Sequence, residues 1–380
     1  MGGCGSSSSS SLKAPADIKA AIDINTSTAQ NAIALVRSGV NIFSATESKL
    51  ATTALMTKVK ETKATLAAKL KDTTETGSET STQDCDISGS TTLTSSHTYT
   101  QKDNGGWSYT ETMAYSFNHC INGTPQSRQS INGKIMESMT YGYNADANLS
   151  EESYSVDYDY VVLYDSNETE ASHSETWNAV VERTWNADGD YVTSATAPGE
   201  EQMLKAKGYL KMVDVNSSGE VESGFRQEID ITAGDMRLYD DTYWKEYANG
   251  FNSFYETSGG VEEFANGIYF KNFKIETHSD GADEENTTVS GTVGSSCLGG
   301  SVAFSTAPVM QSNQQTYFDE FDNHGGNVLP YAGMVTMKGN GTATVAFESN
   351  ASNYTSATLV APDGTSTYGS WGSLATGLCD

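Results

Sequence analysis

The residues best suited to chemistry in this chain fall into three groups, and none of them forms a catalytic signature. The first is an aromatic run between Leu238 and Tyr255, where Tyr239, Tyr243, Trp244 and Tyr247 stand among Asp240, Asp241 and Asn249. A sugar ring needs an aromatic face to stack on and acceptors for its hydroxyls, so these four aromatics are the ligand-binding candidates. Core packing competes for the same side chains. The second group is acidic, with Asp280, Asp283, Glu284 and Glu285 in one loop and Asp319, Glu320 and Asp322 in another. Calcium takes about six to eight oxygen ligands, which makes it the metal such loops could hold. Neither loop has EF-hand spacing, and solvated acidic loops are the simpler reading in a chain with a net charge of −27. The third group is His97, His119, His173, His278 and His324, too far apart to form HxH, HxxxH or HExxH. GxSxG, the P-loop and GxGxxG are also missing. The chain therefore reads as a non-enzyme that requires no cofactor, and the rival reading is a hydrolase whose site is assembled from dispersed carboxylates.

The cysteines are Cys4, Cys85, Cys120, Cys297 and Cys379. With Cys4 set aside, four remain, which allow three connectivities. The sequential one pairs Cys85 with Cys120 and Cys297 with Cys379, and would staple the first and last hairpins of a sheet. No pair has CxxC spacing, so zinc and thioredoxin-like redox chemistry are poor fits. Four buried free thiols are the alternative.

Charge narrows the partners. A pI near 4.4 repels nucleic acid phosphates and anionic membrane surfaces, so nucleic acid is excluded as a partner. Gly3-Cys4-Gly5 followed by Ser6 to Ser11 resembles the start of a mature bacterial lipoprotein, in which the cysteine carries lipid and the serines space the domain from the membrane. Only three residues precede Cys4, so a lipobox signal segment would have to have been removed. Gly2 and Ser6 also fit an N-myristoylation motif. The lipoprotein route makes Cys4 the membrane anchor and places the protein in the cell envelope, at the outer membrane or cell surface; the alternatives are a myristoylated membrane-associated protein and a terminus that carries no lipid.

The elements that must position these residues follow from periodicity. Tyr154, Val156, Tyr158, Tyr160, Val162 and Tyr164 alternate with Ser155, Asp157 and Asp159, as a strand with one buried face requires. The same period recurs in Leu93–Tyr99, Trp107–Phe117, Ile131–Tyr143, Trp177–Trp185, Tyr209–Val215, Phe225–Ile231, Tyr269–Ile275, Val289–Val293, Ser301–Phe304, Gly333–Lys338 and Thr342–Phe347. Short polar turns such as Gly339-Asn340-Gly341 join them into an antiparallel meander. Residues 236–255 break the rhythm and read as a short helix or an irregular excursion. Before the strands, Ile18, Ile22, Ala29, Ile33, Val36, Val40 and Phe43 follow helical spacing over about 27 residues, interrupted only by Asn25. Leu55, Val59, Leu66 and Leu70 suggest a second, lysine-rich helix.

Ile131-Asn-Gly133-Lys-Ile135, Val289-Ser-Gly291-Thr-Val293, the run from Cys297 to Thr306 and the last hairpin resemble segments of uncharacterised β-rich lipoproteins of Gram-negative bacteria. The resemblance spans roughly residues 85–365 and implies a large curved sheet against an N-terminal helix, with no catalytic residues to carry over. The expected fold is mainly β with N-terminal helices: an antiparallel sheet, open or partly closed like a barrel, packed on a helical hairpin. Its parts are a Ser-rich tether (1–14), the helical segment (15–72), a polar linker (73–84) and the sheet domain (85–380), with a split into two sheets near residue 235 as the alternative. The expected role is a lipid-anchored structural or ligand-binding module, with carbohydrate the leading ligand and another envelope protein the other partner considered.

Overall fold

The computed structural model describes residues 14–37, 75–369 and 374, except residues 103, 125–126, 146–148, 167–170, 189–197, 239–241, 280–283, 314–317, 320–329 and 350–353. Two short helices, α1 (Ala16–Lys19) and α2 (Thr26–Arg37), come first. Ten strands follow: β1 (Glu75–Asp84), β2 (Ser88–Gln101), β3 (Trp107–Thr124), β4 (Ser127–Asn144), β5 (Leu149–Ser166), β6 (Ala171–Asp188), β7 (Pro198–Val215), β8 (Val221–Leu238), β9 (Tyr243–Ser258) and β10 (Val261–Ser279). Each pairs antiparallel with the next. β11 (Glu284–Ser295) extends the series, and both β12 (Gly300–Thr306) and β13 (Met310–Asn313) bridge it to β15 (Pro330–Gly339). β16 (Gly341–Ser349), β17 (Tyr354–Val360) and β18 (Ser366–Gly369) finish the sheet, and β14 (Phe318–Asp319) pairs parallel with β17. All belong to one mostly antiparallel sheet.

Register explains why one face is the core. Val156, Val181, Ala206 and Ile231 stand opposite one another across β5 to β8, and all four are buried. Successive side chains point to opposite faces, so the intervening positions form the other surface. That surface carries Lys134, Asp157, Asp159, Lys205, Lys207 and Asp230, with Lys207 Nζ 3.0 Å from Asp230 Oδ2. The same face also exposes the apolar side chains of Met136, Val161, Leu163 and Val180. No helix among the described residues is long and apolar enough to cross a membrane.

The alternating segments expected as strands are strands. The aromatic run is one as well: β8 and β9 pair continuously from Ser223↔Ser258 to Arg237↔Trp244, which corrects the expected excursion and leaves no domain break near residue 235. The period is erased there because β9 is covered on both sides, with Phe251, Asn252 and Ser253 all buried in succession. Residues 75–84 of the expected linker form β1 instead. Their Thr and Ser side chains suit a strand, and Thr80 and Thr82 lie 3.3 and 3.1 Å from Thr94 and Thr92 of β2.

The N-terminal helix is also not continuous. Ala21 bridges Ser301 of β12, the Ile22 amide donates to the Ser301 carbonyl at 3.2 Å, and the Asn340 amide donates to the Ile22 carbonyl at 2.7 Å. Backbone groups engaged in this way cannot also serve a helix. Asn25, the one interruption in the apolar stripe, caps α2: its side chain accepts from the Thr28 amide at 3.0 Å, while Thr28 Oγ1 accepts from the Asn25 amide at 2.8 Å. Ile22, Ala29 and Ile33 join the sheet's core cluster with Leu204, Leu210, Ile229 and Phe273. The second expected helix, over residues 55–70, lies outside the described residues.

Candidate functional site

At the ends of β8 and β9 a cavity of about 310 Å³ is lined by Asp235, Met236, Arg237, Trp244, Lys245 and Glu246. Three cross-strand pairs line it, Arg237 opposite Trp244 and Asp235 opposite Glu246 on the core face, with Met236 opposite Lys245 between them. One step further along β9 is Ala248, only 1% exposed, so the cavity sits where the apolar core gives way to polar side chains. That position accounts for the state of Glu246, whose carboxyl is pushed above the usual range first by burial and then by the neighbouring charge of Asp235. Among the described residues Glu246 has no hydrogen bond and no ion pair. A half-buried carboxylate facing a cavity is available to a cation or a hydrogen-bond donor.

Of the four aromatic candidates, the structure separates those it describes. Trp244 lines the cavity, whereas Tyr243 and Tyr247 occupy alternate positions of the same strand and face the other way. Tyr243 donates its hydroxyl to Glu276 Oε1 at 2.8 Å and packs on the His278 ring with centroids 4.7 Å apart. Burial, then the Glu276 hydrogen bond and charge, push its hydroxyl up to about 12. The ring of Tyr247 occupies the space beside Gly234, where a Cβ would come 2.5 Å from its Cζ, and Lys245 Nζ sits 5.0 Å over the same ring. Tyr239 lies outside the described residues. A single platform of four aromatics does not form, because consecutive strand positions cannot share a face. Asp235, Arg237 and Glu246 were missed for the same reason: a strand reading of 243–247 would have grouped Trp244 with Glu246.

A second polar constellation lies toward the other end of the core face. Gln129, Tyr164, His173, Asp214 and Ser223 form one register row across β4 to β8. Gln129 Nε2 donates to the Tyr164 hydroxyl at 3.0 Å, and Ser223 Oγ donates to Asp214 Oδ2 at 2.6 Å. Between them, His173 places Nδ1 2.6 Å from Asp214 Oδ1 and Nε2 3.2 Å from Glu175 Oε1. Glu175 also accepts from Trp177 Nε1 at 3.1 Å. Burial lowers the affinity of His173 for its proton, but the Asp214 and Glu175 contacts outweigh it and hold the imidazole above its usual value. Asp214 is held below the usual carboxylate range by Ser223 first and His173 second. Ser223 bonds to the aspartate rather than to the histidine, so the row lacks the nucleophile–base contact of a hydrolytic triad. The signal was present in the sequence as His173-x-Glu175-x-Trp177, three side chains on one strand face.

The remaining expected sites are dispersed. Cys85 and Cys120 are joined by a disulfide across 35 residues, as the sequential pairing requires. Cys297 is disulfide-bonded as well, and Cys4 and Cys379 lie outside the described residues. Of the calcium candidates, Glu284 begins β11 and Asp319 ends β14, while Asp280, Asp283 and Asp322 lie outside the described residues. Among the described residues no three His, Cys, Asp or Glu side chains are grouped to hold a metal. Comparison of the chain with protein-family profiles, curated proteins and solved structures returns no match.

Proposed function

We propose that this protein is a lipid-anchored envelope module that binds carbohydrate in the cavity beneath Trp244. The observation that carries this reading is the composition of the cavity wall: an indole, two carboxylates and a guanidinium line a space of about 310 Å³. A pyranose presents an apolar face to an indole and hydroxyls to charged acceptors and donors, and the volume falls in the range of small-molecule sites. The sheet in this reading curves around the N-terminal helical segment. Support comes from glycine kinks at Gly133, Gly208, Gly250, Gly291 and Gly333, each with a positive φ in a strand interior, and from bulges in β3 and β10. Such kinks and bulges are what bend strands. At Gly250, with φ of 116°, a Cβ would collide with the Asp230 carbonyl of β8, so only glycine fits. The membrane attachment rests on Cys4 in its glycine and serine tether.

Glycan-array binding by the full chain, lost on Trp244→Ala, is the expected result. An array on which wild type and variant behave alike contradicts the reading. Intact-mass analysis of protein from its native cell checks the anchor: the account expects lipid mass on the N-terminal peptide containing Cys4, and an unmodified Cys4 rules it out.

A further inference from the structure

We infer that the cavity selects sugars bearing a primary ammonium group, as in de-N-acetylated hexosamines, and that Glu246 is the group that holds the ammonium. The inference rests on the carbohydrate reading of the cavity and adds the ligand's charge to it. Its starting point is electrostatic. Asp235 and Glu246 are directly opposed across β8 and β9, and both line the cavity. Side chains at opposed positions have Cβ atoms about 5 Å apart, so a single small cation can approach both carboxylates. The negative charge of Asp235 already acts on Glu246, so a cation placed at the Glu246 carboxylate is favoured by both.

The cations already in the wall do not serve this purpose at Glu246. Lys245 projects from the opposite face of β9, where its ammonium lies 5.0 Å over the Tyr247 ring. Among the described residues the Glu246 carboxyl makes no ion pair, and burial first and Asp235 second push it above its ordinary range. Trp244 is the next core-face residue along β9, two positions from Glu246, which is about 7 Å along a strand. An amino substituent on a ring stacked against the indole can span that distance and reach the carboxylate. Net charge points the same way, since a chain of −27 concentrates cations at its surface and repels uronates and sulfated sugars.

Titration calorimetry of the full chain at physiological salt, with a glucosamine disaccharide and its di-N-acetylated counterpart, tests the inference. At least tenfold tighter binding of the amine form is expected, and Glu246→Gln should remove that preference, so that the variant binds the two disaccharides within about twofold of each other. The substitution changes net charge by one unit in 27, so general attraction of cations would survive it and the specific contact would not. Equal binding of the two disaccharides by wild type overturns the inference and leaves carbohydrate binding standing. A preference that persists in Glu246→Gln also overturns it. Failure of both sugars to bind, with Trp244→Ala indistinguishable from wild type, removes the underlying reading as well.

Discussion

Glu246 and His173 are both ionisable groups displaced from their ordinary values, and what sets them apart is whether the protein supplies a partner. His173 is bracketed by two carboxylates, Asp214 at 2.6 Å and Glu175 at 3.2 Å, so its charge is satisfied within the fold. The sign of its effect on stability follows from the direction of its shift. A histidine with a raised folded value contributes stability that is fully present below the unfolded value and is lost as pH rises through the folded one. Asp214, shifted down, contributes stability present above its unfolded value and lost as pH falls through its folded one. The row should therefore be firmest in mildly acidic solution, above the ordinary value of an aspartate and below the ordinary value of a histidine. Thermal unfolding followed across pH 4 to 9 (about the range that spans both groups) should show a melting temperature that declines on the alkaline side of His173. In His173→Gln that alkaline decline should vanish. A wild type whose alkaline decline is unchanged by the substitution contradicts the assignment.

Elements with one wet face were legible, and elements covered on both faces were not. β5 could be read because buried Val156 and Val162 lie on the face of Tyr158 and Tyr160 while Asp157 and Asp159 alternate with them, a period of two that the sequence displays. β9 could not, because Phe251, Asn252 and Ser253 are all buried and alternation disappears. The same loss of alternation hides that the strand deals Trp244 to one face and Tyr243 and Tyr247 to the other. β1 was hidden for a different reason: it has no apolar side chain, and its strand character comes from pairing with β2 and from threonine pairs. The disulfide acts on this same edge. Cys85 follows β1 directly and Cys120, only 1% exposed, sits at the bulge of β3, so the bond ties the β1–β2 turn to the third strand. Closing a loop of 35 residues lowers the entropy of the unfolded chain by an amount worth about 4 kcal/mol. Cys85→Ser with Cys120→Ser should lose a comparable stability in denaturant titrations, with amide exchange rising first in β1 and β2. Loss of protection spread evenly over the sheet would argue that the bond is not an edge staple.

Across the whole molecule, one long sheet divides its two faces between different tasks. The core face buries α2 and a continuous apolar band, and each end of that band is finished by polar side chains: the His173 row at one end and the Trp244 cavity at the other. The His173 row is internally paired, whereas the cavity retains an indole and an unpaired carboxylate, Glu246, among the described residues. Function in this account belongs to the end that remains chemically unsatisfied. The measurement that tests the account most directly is a binding titration of the full chain with the tightest glycan found on the array, run in parallel on wild type and Trp244→Ala. The account predicts saturable binding to wild type and at least a tenfold weaker affinity in the variant, with both proteins melting at the same temperature. Equal affinities in two equally stable proteins would contradict it.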